Sequence, residues 1–280
     1  MPVAQSALQI ASDLEQLRCR APRLIGRDRQ LAALHAHIRT RRPLFVSGPA
    51  GVGKTALLHA LYAGWDTTRE GFPVFYCGES HTRHALATTL LVNLFLHGHS
   101  LRSTFLDRRK VVTSLSALRR FVTTERLPDL YRMLHQNLPP DACIVLDHID
   151  NPDPKVASLI EVWIERMPLI LVARRADRMG RARWLLSGCE HLEIPPLSAA
   201  ALRRLASDTL QKVARCDVRD ADIHRALVRA AGNPGRFKEL LSAAVQHQKN
   251  GVVLWNLVNI ELRMHALERQ CGRVQCAENE

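Results

Sequence analysis

No stretch of this sequence is apolar for long enough to cross a bilayer. The most apolar run, Ala85 to Leu96, is interrupted by Thr88, Thr89 and Asn93 and falls well short of the roughly 20 residues a membrane helix needs. Met1 to Leu17 lacks a basic start followed by an apolar core and carries Asp13 and Glu15, so it does not read as a secretory signal. The seven cysteines are odd in number and scattered, which excludes a disulfide framework. Cys271 and Cys276 have neither the spacing nor the second pair of a zinc knuckle. The tetrapeptide Asn-Lys-x-Asp, which reads guanine, occurs nowhere, and GTP specificity is disfavoured. There is no internal repeat and no low-complexity tract. The expected setting is a reducing cytoplasm with no membrane partner.

What is present suits a globular protein. Of 280 residues, 46% are apolar and 24% charged, enough for one large domain or a core with an appendage. The net charge of +12 and a pI near 10 favour acidic partners, nucleic acid foremost. An arginine-decorated solvent face explains the same charge equally well, because it is spread rather than gathered.

Four short, nearly continuous apolar runs read as strands buried on both faces: Leu44 to Ser47, Val74 to Cys77, Cys143 to Leu146 and Leu169 to Val172. A fifth is expected at His191 to Ile194. Helical stretches such as Lys54 to Tyr62 and Thr82 to Leu96 lie between them, which predicts a doubly wound α/β sheet. Beyond Pro195-Pro196 only helices are expected, at Ser198 to Val213, Arg219 to Ala231, Arg236 to His247 and Val252 to Leu267. The expected division is an N-terminal helical segment over residues 1–23, an α/β core over 24–195, a small all-helical lid over 196–270 and a loose tail over 271–280.

Gly48-Pro49-Ala50-Gly51-Val52-Gly53-Lys54-Thr55 matches G-x-x-x-x-G-K-[ST], with a strand before it and a helix from Ala56 onward. Glycines let successive N–H groups face phosphate oxygens, and the helix N-terminus adds partial positive charge. In such a loop Lys54 reaches the β- and γ-phosphates of ATP and the Thr55 hydroxyl ligates Mg²⁺. A hydrolytic site also needs an acid where a buried strand emerges. Cys143-Ile-Val-Leu-Asp147 supplies Asp147 for the metal shell. Asp150 either orients the attacking water or caps the next helix. After Leu169 to Val172 come Arg174 and Arg175. One of them, Arg175 before Arg174, is expected to sense the terminal phosphate, and Arg178, Arg181 and Arg183 are expected to be solvated.

These residues resemble the STAND and origin-recognition-like branch of the AAA+ P-loop ATPases. Leu24-Ile25-Gly26-Arg27-Asp28, continuing to Leu31 and Leu34, is similar to the family's box ahead of the loop, with Gln30 in place of an acid. Leu146-Asp147-His148-Ile149-Asp150 is similar to its paired-acid strand end, Ile170 to Arg175 to its sensor strand, and Gly232-Asn233-Pro234 to its lid motif. The resemblance implies that Ile25, Gly26, Arg27 and Pro234 flank adenine and that Arg236 lies near the phosphates. His148 stands where many AAA+ members place a catalytic glutamate, which implies slow hydrolysis. Ring-forming members carry an arginine in the segment matched here by Leu186-Ser-Gly-Cys-Glu190, which has none, so an obligate ring is not implied.

The function implied is an ATP/ADP-driven conformational switch that is also a slow ATP hydrolase, working on a protein partner and open to nucleotide-dependent self-assembly. The alternative is a DNA-associated ATPase of the loader or transposition-helper kind. A small-molecule kinase comes third. His35 with His37 and His97 with His99 lack acidic or cysteine co-ligands and read as packing or surface residues. Trp65, Trp163 and Trp184 read as packing residues, and Arg108 to Lys110 with Arg119-Arg120 read either as a solvated helix face or as the best candidate for a nucleic-acid contact.

Overall fold

The computed structural model describes residues 7–19, 24–78, 82–98, 101–103, 110–212 and 220–246. In chain order the elements begin with α1 (Ala7–Cys19), α2 (Asp28–Thr40), β1 (Leu44–Ser47), α3 (Lys54–Gly64), α4 (Thr67–Glu70) and β2 (Val74–Cys77). There follow α5 (Arg83–Leu96), β3 (Leu101–Ser103), β4 (Lys110–Val112), α6 (Leu115–Thr124), α7 (Leu127–Asn137) and β5 (Cys143–Leu146). The remainder are α8 (Pro154–Ile164), β6 (Leu169–Val172), a 3₁₀ run (Ala176–Gly188), β7 (Glu190–Glu193), α9 (Ala199–Lys212), α10 (Asp220–Ala230) and α11 (Pro234–Gln246). The helix expected at Val252 to Leu267 and the tail lie outside the described residues. By contacts the chain divides into Met1–Pro49 with Lys54–Ile194, and Ala50–Gly53 with Pro195–Glu280.

In the first unit, β1, β2, β5 and β6 are buried at every residue, as a sheet covered by helices requires. Five parallel strands run in the order β2-β5-β6-β1-β7. This is the α/β P-loop core expected from the apolar runs. The loop after β1 leaves the carboxyl edge of the sheet beside the ends of β6 and, one strand further, β5, where open α/β sheets bind ligands.

The fifth strand lies one residue earlier than the apolar pattern indicated. Glu190 to Glu193 pair with Leu44 to Ser47, and Ile194 N–H still donates to Ser47 O at 2.8 Å. Backbone pairing, not burial, defines this exposed edge, so its side chains carry little signal. The opposite edge, β2, is handled differently. The outward N–H and C=O of Tyr76 have no strand neighbour, and the buried Asn93 of α5 serves both, accepting from Tyr76 N at 3.3 Å and donating to Tyr76 O at 3.1 Å. The polar break in the apolar run therefore closes a sheet edge.

Helix α1 buries Ala7, Ile10, Ala11 and Leu14, a single stripe at helical spacing, and packs on α3, α5 and α6. Side chains of Asp66, Thr82, Ser114 and Asp153 cap helix N-termini, each contributing about 1 kcal/mol. The antiparallel pair β3–β4 was not visible in the sequence, since three-residue strands are too short to show a period.

In the second unit, α9, α10 and α11 bury Leu202, Ala206, Ala226, Ala230, Phe237 and Leu240. Asn233 caps α11, its Oδ1 accepting from Arg236 N–H at 3.1 Å, with Pro234 as the first helical residue. Gly232 N-terminal to it has φ +79°, and a Cβ there would meet Leu197 O at 2.6 Å. Within the same unit Asn233 Nδ2 donates to Ala50 O at 2.7 Å and Gly235 N–H to Gly51 O at 2.9 Å.

Candidate phosphate and metal site

The phosphate loop starts where β1 ends. Gly48 is buried, and its N–H donates to Arg174 O at 3.1 Å, which ties the loop to the end of β6. Lys54 opens α3 and turns back over the loop, its Nζ donating to Gly48 O at 2.6 Å and Pro49 O at 3.1 Å. Burial lowers the pKa of this ammonium, while the carboxylates of Asp147 and Asp150 oppose that shift and Arg174 adds to it. The lysine is thus held in a partly desolvated spot near two acids. Gly51, at φ +74°, and Gly53, at φ +102°, adopt left-handed backbone that lets the loop wrap.

Asp147 follows β5 and is almost fully buried, 1% exposed. Such a carboxylate is tolerated only when hydrogen-bonded. Its Oδ2 accepts from Thr55 Oγ1 at 2.8 Å and from Tyr76 Oη at 3.1 Å, and its Oδ1 accepts from His148 N–H at 2.8 Å. The structure therefore brings together Lys54, Thr55 and Asp147, three of the residues singled out in the sequence. Ala56 follows Thr55 in the first turn of α3.

Asp150 does something different. Its Oδ1 accepts from Arg174 N–H at 3.0 Å, and its Oδ2 lies 3.6 Å from Arg174 Nε. The helix that follows is capped by Asp153, so Asp150 bridges the ends of β5 and β6. Arg174 is thereby the arginine held beside the strand ends. Arg175 is exposed and pairs with Asp177 at 3.3 Å.

Ahead of the loop, Ile25 is half-buried, Gly26 is exposed with φ +67°, and Arg27 is buried just before α2. Burial lowers the Arg27 pKa. Pro234 and Arg236 belong to the second unit, at the start of α11.

Three residues beside Asp147 were not recognised from the sequence as its partners. Tyr76, on β2, gives its only proton to Asp147, so the 3.0 Å contact between its oxygen and His59 Nε2 makes His59 the donor. Burial, and after it Asp147, raises the Tyr76 pKa and keeps the phenol protonated. Burial lowers the His59 pKa, with Asp147 opposing. A tyrosine in an otherwise apolar strand next to an acid-bearing strand was the available signal. The third is His148. Its backbone is left-handed, φ +55°, and its Nε2 lies 3.3 Å from Thr55 Oγ1 and 3.6 Å from Asp147 Oδ2.

Elsewhere, His35 stacks on Trp65, His37 contacts Arg42 O and Glu190, and His97 meets Phe75 edge-on. No cluster of three or more His, Cys, Asp or Glu side chains suited to a metal occurs among the described residues. Trp65 and Trp163 are buried, but Trp184 is 47% exposed, which corrects its reading as a packing residue. Its place in a 3₁₀ run leaves it on an outer face. Residues 104–109 of the basic insert and His99 lie outside the described residues. No described helix is long and apolar enough to cross a membrane.

The model of the AAA ATPase domain matches residues 23–172, just over half of the chain. Among curated proteins, none matches the sequence. Solved structures share the fold, among them the following two. The ORC1 protein of Aeropyrum pernix, determined in complex with DNA, is 17% identical with a TM-score of 0.59, over 89% of this chain and 69% of that one. A Walker-type ATPase of Pyrococcus abyssi is 14% identical with a TM-score of 0.55, over 89% and 76%.

Proposed function

Because the chain belongs to the AAA ATPase domain family, we propose that it binds ATP with Mg²⁺ and works as a slow, nucleotide-driven conformational switch of the STAND and origin-recognition-like kind. The observation that carries this reading is the 2.8 Å hydrogen bond between Thr55 Oγ1 and the buried carboxylate of Asp147. A hydroxyl and a desolvated acid side by side, next to an ammonium, are the donor set a magnesium–triphosphate needs. When bound, the metal supplies positive charge against the phosphate oxygens. Lys54 exchanges the Gly48 and Pro49 carbonyls for the β- and γ-phosphates. Tyr76 and His148 N–H keep the Asp147 carboxylate aimed at Thr55.

The strand ends give the switch its sensor. Asp150 fixes Arg174, which makes Arg174 the stronger candidate for reading the terminal phosphate and leaves Arg175 the weaker one. Asp150 also orients the attacking water, through its second oxygen. His148 in place of a glutamate supports slow hydrolysis, since imidazole is a poorer match for polarising water beside a cation. Ile25, Gly26, Arg27 and Pro234 are proposed to flank adenine, and Arg236 to reach the phosphates. The proposed domains are the core over residues 24–195 and the lid over 196–270, in a cytoplasmic protein whose output is a partner-binding surface.

A second reading, a DNA-associated ATPase, is supported by the net charge of +12 and by the DNA in the ORC1 structure. One assay separates the two: ATP turnover with and without duplex DNA, followed by sizing with ADP and with a non-hydrolysable analogue. The switch predicts slow turnover indifferent to DNA and different elution in the two nucleotides. DNA-stimulated turnover that weakens steeply with salt favours the second reading. Identical elution and no turnover in any condition contradict both.

A further inference from the structure

His148 is the one residue of the site whose backbone pays a conformational penalty. A non-glycine residue at φ +55° is in left-handed backbone that side chains disfavour, and such strain gathers at functional positions. Its origin is visible in the sheet. Asp147 N–H still donates to Cys77 O, and Ile149 N–H already donates to Val172 O, so His148 is pushed out of the strand line between two paired residues. The excursion turns the imidazole back over α3, where Nε2 stands 3.3 Å from Thr55 Oγ1 and 3.6 Å from Asp147 Oδ2. Thr55 Oγ1 and Asp147 Oδ2 are themselves 2.8 Å apart.

Three separations of this size have a meaning in coordination chemistry. Donors at about 2.1 Å from a metal, in adjacent octahedral positions, lie about 3.0 Å from one another. One hydroxyl oxygen, one carboxylate oxygen and one imidazole nitrogen, 2.8, 3.3 and 3.6 Å apart, approach the spacing of one face of an octahedron and reach it with a small inward turn of the imidazole. An all-oxygen set suits Mg²⁺, whereas an imidazole raises affinity for first-row transition metals. Thr55 gives its only proton to Asp147, so without a cation the 3.3 Å contact makes His148 Nε2 the donor. The other neutral tautomer, with its proton on Nδ1, offers Nε2 as a ligand once a cation replaces these bonds.

We propose that His148 Nε2, with Thr55 Oγ1 and Asp147 Oδ2, forms a mixed nitrogen–oxygen metal site. It shifts the preference of the nucleotide-bound cation from Mg²⁺ toward Mn²⁺ or Co²⁺. This rests on the reading that the loop binds a metal–nucleotide complex. The strained histidine is then a ligand rather than a poor substitute for a general base, which gives its position a chemical reason that hydrolysis alone does not.

The test is electron spin-echo spectroscopy of Mn²⁺ bound with a non-hydrolysable ATP analogue to uniformly ¹⁵N-labelled full-length protein, so that nitrogen from the protein and from the purine are told apart. A ¹⁵N coupling to Mn²⁺ is expected in the wild type. It should vanish in His148→Asn, a variant that keeps a side chain tolerant of left-handed backbone. Competition between Mn²⁺ and Mg²⁺ in nucleotide binding should lose about tenfold of its Mn²⁺ preference in the same variant, as loss of a metal-shell partner does. His148→Glu, with oxygen donors only, should move the preference further toward Mg²⁺. Bound Mn²⁺–nucleotide without a protein ¹⁵N coupling overturns the ligand assignment and leaves nucleotide binding standing. Failure of the analogue to bind at all with either metal overturns both.

Discussion

The two acids that follow β5 lie three residues apart and are built into opposite surroundings. Asp147 is sealed from solvent and takes hydrogen bonds from a loop threonine, a tyrosine on the neighbouring strand and its own next amide. Asp150 is about a quarter exposed and is committed to Arg174, through both the backbone and the guanidinium. One acid looks toward the phosphate loop and the other toward the sensor strand. A pair of acids in one motif therefore makes two different sets of contacts, one to Thr55 and Tyr76 and one to Arg174, which under the proposed function become the holding of a cation and of an arginine.

That contrast can be broken by mutation. Asp147→Ala should remove metal-dependent ATP turnover, a loss on the order of 10²–10³, measured as steady-state phosphate release. A turnover rate within a few-fold of wild type would take Asp147 out of the site. Asp150→Ala should leave the ATP dissociation constant unchanged and slow turnover about tenfold, the size expected for a partner acting through another residue. An unaltered rate would remove the Asp150–Arg174 bridge from the mechanism. Tyr76→Phe keeps the ring and deletes one donor to a buried carboxylate, so unfolding in urea should show about 1–3 kcal/mol less stability. It should also weaken nucleotide binding more in the presence of divalent metal than in its absence. Equal weakening in both conditions would make Tyr76 a packing residue only.

The fold was legible because its strands are buried on both faces. The runs at Leu44, Val74, Cys143 and Leu169 announce themselves by composition, and each strand occupies the expected residues. The edge strand at Glu190 was displaced by one residue because its stability comes from backbone pairing to β1, which leaves no apolar mark. Of the candidate site, the local motif was readable: Gly48 to Thr55 and Asp147 stand out in sequence order, and Thr55 and Asp147 meet in the structure. The surrounding contacts were not, since Tyr76 meets Asp147, and His59 meets Tyr76, only after β2 has paired with β5 and α3 has packed against β2. The left-handed turn at His148 was invisible for another reason, because nothing in Leu146-Asp-His-Ile marks a residue forced out of a strand. That Asp150 contacts Arg174 and not Arg175 was likewise not legible, since it depends on where Asp150 points.

Under the proposed function, Lys54 and its loop bind the triphosphate. Calorimetric titration of ATP with Mg²⁺ into the wild-type chain and into Lys54→Ala tests this most directly. Single-site binding by the wild type and no measurable binding by the variant are predicted. Equal affinity in both proteins would contradict it.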